Sequence, residues 1–234
     1  MIVFGRNVFK EVINNNKKIY KVFLQNDFSN RGILEYLDNN NIEVIKLSKK
    51  DMNQKFNGNH QGIALEIEDY KYSKLDEILD KDFVIVLDHL EDPHNLGAII
   101  RTCEAAGVDA IIIPKKRSVE INYTVMKVSA GALNNVIIVE TSNVVSALEK
   151  LKKHNFWVYS ADMDGETYTK VDYTGKTCLV VGAEGKGVSR LVRDKSDFII
   201  SIPMVGKINS LNASVAAGIV IYEVVRQKNR WFYV

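Results

Sequence analysis

Three segments in the second half of the chain combine glycine with polar side chains, each directly after an apolar run and before a helical pattern. They are residues 88–101, 182–187 and 202–218. In an open parallel sheet, ligands bind outside the carboxyl ends of the strands, at loops of this kind. Glycine there lets the backbone N–H groups approach a ligand closely. The spacing therefore predicts one binding site built from three loops.

In the first segment, polar residues follow a strand, and the pattern predicts a helix that begins near Asn95. Its apolar stripe consists of Leu96, Ile99, Ile100 and Cys103. Asn95 is a candidate helix N-cap, and a cap residue can also face a ligand. Arg101 lies off this stripe. Three interpretations of it are open: a solvated side chain, a salt bridge to Glu104 or a role in the site. His89 and His94 are candidate bases, although loop contacts are the commoner role of such residues.

The second segment has glycines at positions 182, 185 and 187. It is not a P-loop, because Lys186 does not follow the second glycine of the required spacing, and it is not G-x-G-x-x-G either. One interpretation is a glycine-rich turn in which Glu184 interacts with the dipole of the next helix. The other is a backbone cradle for a cofactor.

The third segment has Pro203 at the end of a strand and then a helix lined with small residues. Proline fits a strand end because it has no N–H to donate to a neighbouring strand. Small residues permit close packing of another backbone, which explains most of these positions without a ligand. Ser210 and Asn212 are candidate helix caps or polar contacts in the site.

The elements that position these loops alternate between strand and helix from residue 83 onward. Apolar runs at 84–87 and 111–113 are typical of strands buried on both faces. The prediction is an α/β fold with a parallel sheet covered by helices. The six candidate strands are residues 84–88, 110–113, 136–139, 157–160, 178–181 and 198–202.

Residues 1–70 form a separate small α/β unit in this interpretation, with helical spacing near residues 8–13 and 32–37 and strands at 20–24, 42–47 and 62–67. Two lysine groups in it are either solvated surface or a face that contacts phosphates. The polar segment 71–82 is assigned as a linker with a short helix at about 75–79. Residues 83–234 are then the second domain, which contains the three loops.

Composition limits the class of protein. A chain of 234 residues with 46% hydrophobic and 26% charged residues can form one large domain or two smaller ones. Net charge is only +2, so charge alone does not indicate nucleic-acid binding. The two cysteines are expected to be buried free thiols. With no zinc-site spacing, signal peptide or membrane-length apolar run, we expect a cytoplasmic protein without a metal.

The three segments together resemble the motifs of the SpoU (TrmH-like) family of RNA ribose 2′-O-methyltransferases, within the SPOUT superfamily. The resemblance covers residues 83–228, with the three motifs in the family's order and spacing. Residues 5–8 and 60–63 of the first unit are similar to a ribosomal-protein-L30e-like substrate-binding domain. That domain is found in the subgroup that methylates a guanosine of large-subunit ribosomal RNA.

The resemblance implies that the cofactor is S-adenosylmethionine and that the C-terminal part of the catalytic domain forms a trefoil knot. It also implies a homodimer in which the second copy completes the site. The expected substrate is large-subunit ribosomal RNA, and neither a membrane nor DNA is expected as a partner. The expected cofactor contacts are Gly182, Ile202, Met204, Gly206 and Leu211. The expected catalytic residues are Arg101, Asn95, Glu184, Ser210 and Asn212.

The family's assignment of Arg101 as the base is chemically awkward, because arginine in a protein stays protonated. We therefore expect Arg101 to bind a phosphate and the attacking oxygen. Methylation of a transfer-RNA ribose is the nearest alternative function. Two other classes of protein are disfavoured. A nucleotide-dependent oxidoreductase would need a dinucleotide fingerprint, which the sequence lacks. An RNA-binding module without activity would not need the complete cofactor loops that the sequence contains.

Overall fold

The computed structural model describes residues 1–14, 16–183, 185, 187–208 and 210–228. The chain forms two compact units, Met1–Lys71 and a second that begins at Tyr72. Within the described residues, no helix is long and apolar enough to cross a membrane.

The first unit is a four-stranded sheet in the order β1-β4-β2-β3, with three helices. Only β2 and β3 are parallel, while β4 runs antiparallel to both β1 and β2. The strands are β1 (Ile2–Phe4), β2 (Ile19–Gln25), β3 (Glu43–Leu47) and β4 (Ile63–Ile67). The helices are α1 (Arg6–Asn14), α2 (Arg31–Asn39) and α3 (Lys49–Lys55).

The sequence prediction missed β1 and α3 in this unit. Strand β1 has only three residues, too few for an alternating pattern. Helix α3 is almost entirely polar and buries only Met52, so it has no apolar stripe to detect. Its start is fixed by Ser48, which accepts a hydrogen bond from the Asp51 N–H at 3.2 Å.

The second unit has a six-stranded sheet in the order β10-β8-β9-β5-β6-β7, and every neighbouring pair is parallel. The parallel sheet predicted from the apolar runs is therefore confirmed. Its strands are β5 (Phe83–Asp88), β6 (Ala110–Pro114), β7 (Ile137–Thr141), β8 (Trp157–Thr167), β9 (Thr177–Gly182) and β10 (Phe198–Ser201). Its helices are α4 (Pro93–Ala105), α5 (Tyr123–Ser129), α6 (Val144–Lys152), α7 (Arg190–Arg193) and α8 (Ala213–Gln227).

The core of the second unit lies around the two central strands. Every residue of β5 and β9 is buried, as expected for parallel strands covered on both faces. Cys103 and Cys178 are buried free thiols, as predicted. Burial raises the pKa of both thiols, so they act as apolar core residues at neutral pH.

The polar segment 71–82, which the sequence suggests as a linker, packs largely into the second unit. It contains a short 3-10 helix, Leu75–Ile78, and Ile78 is fully buried in the core with Val84 and Val139. Ser73 also forms an isolated parallel β-bridge with Val139. A few apolar residues anchor this segment, although the charged residues around them dominate its composition.

Candidate functional site

The carboxyl ends of β5 and β9 lie side by side, with Asp88 opposite Gly182 in the sheet register. The Asp88 carboxylate is buried, and one of its oxygens accepts a hydrogen bond from the Ser189 N–H at 2.7 Å. Its other oxygen lies 2.6 Å from His89 Nδ1. A buried carboxylate needs such partners. Asp88 therefore ties the loop that follows β9 to the end of β5, and His89 is held as a partner of Asp88.

The loop after β9 folds back on itself within a few residues. The Gly187 N–H donates to the Ala183 carbonyl at 3.0 Å, and Gly187 has a positive φ of 64°. A Cβ on Gly182 would lie 2.1 Å from the Gly187 carbonyl carbon. Glycine is therefore a steric requirement at position 182 and a conformational one at 187. Glu184 and Lys186 lie outside the described residues.

The helix of the first segment begins earlier than the sequence predicts. The N-cap is Asp92, whose carboxylate accepts from the His94 N–H at 2.9 Å, and Pro93 takes the first helical position. Both are favoured placements for these residue types. Asn95 thus lies inside the first turn of α4 and is 4% exposed. Its role as a helix cap was predicted wrongly.

Asn212 joins the first and third segments. Its side-chain oxygen caps α8 by accepting from the N–H groups of Ser214 at 3.0 Å and Val215 at 3.3 Å. Its amide nitrogen donates to the side-chain oxygen of Asn95 at 2.9 Å. The prediction that Asn212 is a cap is confirmed. A single side chain therefore links the starts of α4 and α8.

The remaining residues of the third segment line a loop between β10 and α8. Strand β10 ends at Ser201, so Pro203 lies just beyond the strand. Ile202 and Leu211 are half-buried, whereas Met204, Gly206 and Ser210 are exposed. Two further apolar side chains of this loop, Val205 and Ile208, are also exposed.

Arg101 lies on α4 with its side chain exposed to solvent. Glu104 accepts a hydrogen bond from the Asn135 amide at 3.0 Å. Among the residues that the structure places, Glu104 forms no ion pair with Arg101, so the structure does not contain the salt bridge considered from the sequence. His94 is exposed at the start of the same helix.

One set of residues that positions the site was not identified from the sequence. The Arg193 guanidinium on α7 donates to Asp162 at 2.9 Å and to both oxygens of Asp164 at 2.8 Å. The hydrogen bond from Arg193 lowers the pKa of Asp164. These bonds attach α7, which follows the glycine turn, to strand β8. No local pattern could reveal them, because the partners are about 30 positions apart.

Comparisons with known proteins agree with this arrangement. A model of the SpoU rRNA methylase family matches residues 82–222. A second model, described as RNA 2′-O ribose methyltransferase substrate binding, matches residues 2–73. A Staphylococcus haemolyticus protein whose name assigns it to the TrmH family of tRNA/rRNA methyltransferases is 41% identical. The alignment covers 98% of this chain and 97% of that protein.

Solved structures with a similar fold are also known. The SpoU methyltransferase AviRb from Streptomyces viridochromogenes, in complex with AdoMet, matches with a TM-score of 0.76 over 99% of this chain and 91% of that one, at 23% identity. A TrmH/SpoU tRNA modifying enzyme of A. aeolicus is 35% identical, with a TM-score of 0.59, over 67% of this chain and 81% of that one. With a family model matching more than half of its length, this chain belongs to the SpoU family of RNA methyltransferases.

Proposed function

We propose that the protein transfers a methyl group from S-adenosylmethionine to a ribose 2′-hydroxyl in large-subunit ribosomal RNA, at a guanosine. The observation that carries this proposal is the bond between Asn95 and Asn212, which brings the first and third motifs together at the carboxyl edge of the parallel sheet. The family models support RNA as the substrate class and the ribose oxygen as the acceptor.

The residues proposed to hold the cofactor fit an adenosyl group. Gly182 presents backbone without a side chain at the end of β9, and the Gly187 backbone, bonded to the Ala183 carbonyl, lies against it. Half-buried Ile202 and Leu211 supply apolar contact for a purine ring, and Met204 and Gly206 belong to the same loop. When bound, the sulfonium supplies an electrophilic methyl group.

Arg101 is proposed to contact the RNA directly. Its guanidinium stays protonated, so it binds a neighbouring phosphate and stabilises negative charge on the attacking ribose oxygen. Asn95 and Asn212 hold the two helix starts in place, and Glu184 and Ser210 supply further polar contacts. Positioning of the two reactants is the main contribution, for which about 7–11 kcal/mol is available in favourable cases.

A second copy of the chain is proposed to complete the site. Val215 and Tyr222 are exposed on α8 seven positions apart, which places them on one face of the helix. The preceding loop exposes Val205 and Ile208. The proposal is that the second copy covers these exposed apolar side chains, because large exposed apolar surface marks interaction sites. The trefoil knot and the cytoplasmic location stay predictions from the family resemblance.

Methylation of a transfer-RNA ribose is the second candidate. The A. aeolicus relative is described as a tRNA modifying enzyme, and its 35% identity exceeds that of the AviRb structure. The first unit of this chain favours ribosomal RNA, because its motifs resemble those of the ribosomal subgroup.

The test uses the purified full chain with labelled S-adenosylmethionine, unmodified large-subunit ribosomal RNA and, in parallel, bulk tRNA. Nuclease digestion and mass spectrometry then identify the labelled nucleoside. We expect 2′-O-methylguanosine in the ribosomal RNA, and its loss in Arg101→Ala. If label appears in tRNA alone, tRNA and not ribosomal RNA is the substrate. Label on a base would overturn the assignment of the ribose as the methyl acceptor.

A further inference from the structure

The first unit contains an open cavity of about 580 Å³ beside the start of α1. This volume lies within the range of small-molecule binding sites. Its lining is mainly polar and includes one aromatic ring and two basic side chains. The residues used in the following argument are Arg6, Phe28, Lys49, Asn53, His60 and Gln61.

One wall of the cavity is a platform made of a ring and a guanidinium. The Arg6 guanidinium carbon lies 5.2 Å from the centroid of the Phe28 ring. The Phe28 ring packs against Gly62, where a Cβ would lie 3.2 Å from it. Proteins that bind unpaired RNA stack the bases on aromatic rings and on arginine planes of this kind.

Next to this platform, the lining includes a turn whose polar groups are fixed by hydrogen bonds. His60 is buried, its Nδ1 accepts from the Gly62 N–H at 3.0 Å, and its Nε2 lies 2.8 Å from the Asn53 side-chain oxygen. Gln61 has a positive φ of 51°, and its side-chain oxygen accepts from the Arg6 N–H at 2.9 Å. The amide nitrogens of Asn53 and Gln61 take no part in these bonds, and both residues belong to the lining.

The charge in the cavity is suited to a phosphate beside the stacked ring. Arg6 and Lys49 are both exposed cations of the lining. The one carboxylate, that of Asp27, accepts a hydrogen bond from the Gln25 amide at 2.6 Å. Two cations, a stacking platform and amide donors together match the phosphate, the base plane and the base edge of a nucleotide.

We infer that this cavity, the Arg6–Phe28 pocket, holds one unpaired nucleotide of the RNA substrate. The inference rests on the proposed function, because it takes RNA as the ligand. It adds an RNA contact in the first unit to the contacts proposed for the methyl-transfer site in the second. An unpaired base is required, since a base inside an A-form helix cannot stack on a protein side chain.

The test measures fluorescence anisotropy of the full chain with a labelled single-stranded RNA of about 12 nucleotides, within the range bound by single-strand modules. The variants are Lys49→Gln, Arg6→Gln and Phe28→Leu. The matched controls are Lys50→Gln, on the same helix but outside the pocket, and Arg31→Gln, an exposed arginine of α2. Circular dichroism verifies folding, and Lys49→Gln alters only an exposed side chain.

We expect Lys49→Gln and Arg6→Gln to weaken binding several-fold and to reduce the slope of log affinity against log salt by about 1. Phe28→Leu should weaken binding at least about fivefold without changing this slope, because stacking releases no counterions. The two controls should stay within about twofold of the unmodified chain. Pocket variants that match the controls would overturn the inference.

Methyl transfer to ribosomal RNA is measured in parallel and separates the two proposals. If the pocket variants methylate limiting RNA as efficiently as the unmodified chain, the inference about the pocket is rejected and the proposed function is retained. Absence of any transfer, together with the expected losses in RNA affinity, would reject the proposed function and leave the pocket standing.

Discussion

The Asn212 side chain performs two tasks that are normally divided between residues. Its oxygen caps α8, and its nitrogen donates to buried Asn95 on α4. The second bond crosses between helices, so it fixes the relative position of two motifs and adds to the stability of each. Replacing such a residue should therefore lower the free energy of unfolding more than replacing an ordinary helix cap.

Asn212→Ala should lower the free energy of unfolding by about 2–4 kcal/mol. The cap contributes about 1 kcal/mol, and loss of a donor to a buried amide oxygen costs about 1–3 kcal/mol. The control is Asn143→Ala, which removes the cap of α6 through the Ser146 N–H and should cost only about 1 kcal/mol. Urea unfolding at one protein concentration measures both, and equal losses would show that the bond between the helices contributes nothing.

Arg101→Lys should reduce kcat about 100-fold or more while leaving the unfolding midpoint unchanged. Lysine keeps the charge but loses the planar fork that binds two oxygens at once, and the exposed side chain makes little contribution to stability. Single-turnover methylation of ribosomal RNA at saturating cofactor measures the effect. Arg190→Lys, another exposed arginine, is the control. Near-normal turnover in Arg101→Lys would exclude the geometric role.

At the scale of elements, the turn after β9 depends on two constraints acting together. Asp88 at the end of β5 holds the Ser189 N–H, and Gly182 allows Gly187 to pass within contact distance of its Cα. Arg193 on α7 then attaches the segment to the two aspartates of β8. Both ends of this turn are therefore held by contacts within the chain, and such preorganisation lowers the cost of binding a ligand.

Gly182→Ala should abolish cofactor binding or weaken it more than about tenfold, because the new methyl group would displace the Gly187 backbone. The control is Gly32→Ala in α2 of the first unit, where an added Cβ meets only the Asn30 side-chain oxygen, at 3.9 Å. Isothermal titration with S-adenosylmethionine compares the two, and circular dichroism reports folding. Unchanged affinity in Gly182→Ala would mean that the turn can shift without affecting the site.

At the scale of the whole molecule, the chain divides its tasks between two units with separate sheets. The second unit contains the three motifs, and its exposed α8 face is the surface proposed for the second copy. The first unit contains the Arg6–Phe28 pocket. A division of this kind lets substrate choice change without altering the chemical site.

Val215→Asp should convert a dimer into a monomer in size-exclusion chromatography with light scattering. An aspartate in the first turn of α8 is compatible with the helix dipole, so the fold should survive while the apolar contact is lost. Val215→Thr keeps the shape of the side chain and should remain mostly dimeric. If the chain is monomeric without any substitution, or if Val215→Asp stays dimeric, α8 is not the interface. Methylation should fall with dissociation, because the proposed site is completed by the second copy.

The sequence alone determined the parallel sheet and the family of the protein. The runs at 84–87 and 111–113 contain only apolar residues, which is typical of strands buried on both faces, and the structure buries both runs completely. The family resemblance of residues 83–228 is confirmed by the match of residues 82–222. Local signals were weakest where elements are short or polar, as in β1 and α3. They also misplaced the start of α4, because Asp92 and Asn95, three positions apart, are both residue types that favour caps.

Only the tertiary structure decided which polar groups meet. Asn95 and Asn212 are 117 positions apart, and Asp88 and Ser189 are 101 apart. The Arg6–Phe28 pocket combines residues from a helix start, a turn and α3. Patterns along the chain report local periodicity and burial, whereas these contacts depend on how helices and loops pack on the sheet. Hydrogen bonding needs partners within about 3 Å, and only the packed fold brings residues so distant in sequence to that separation.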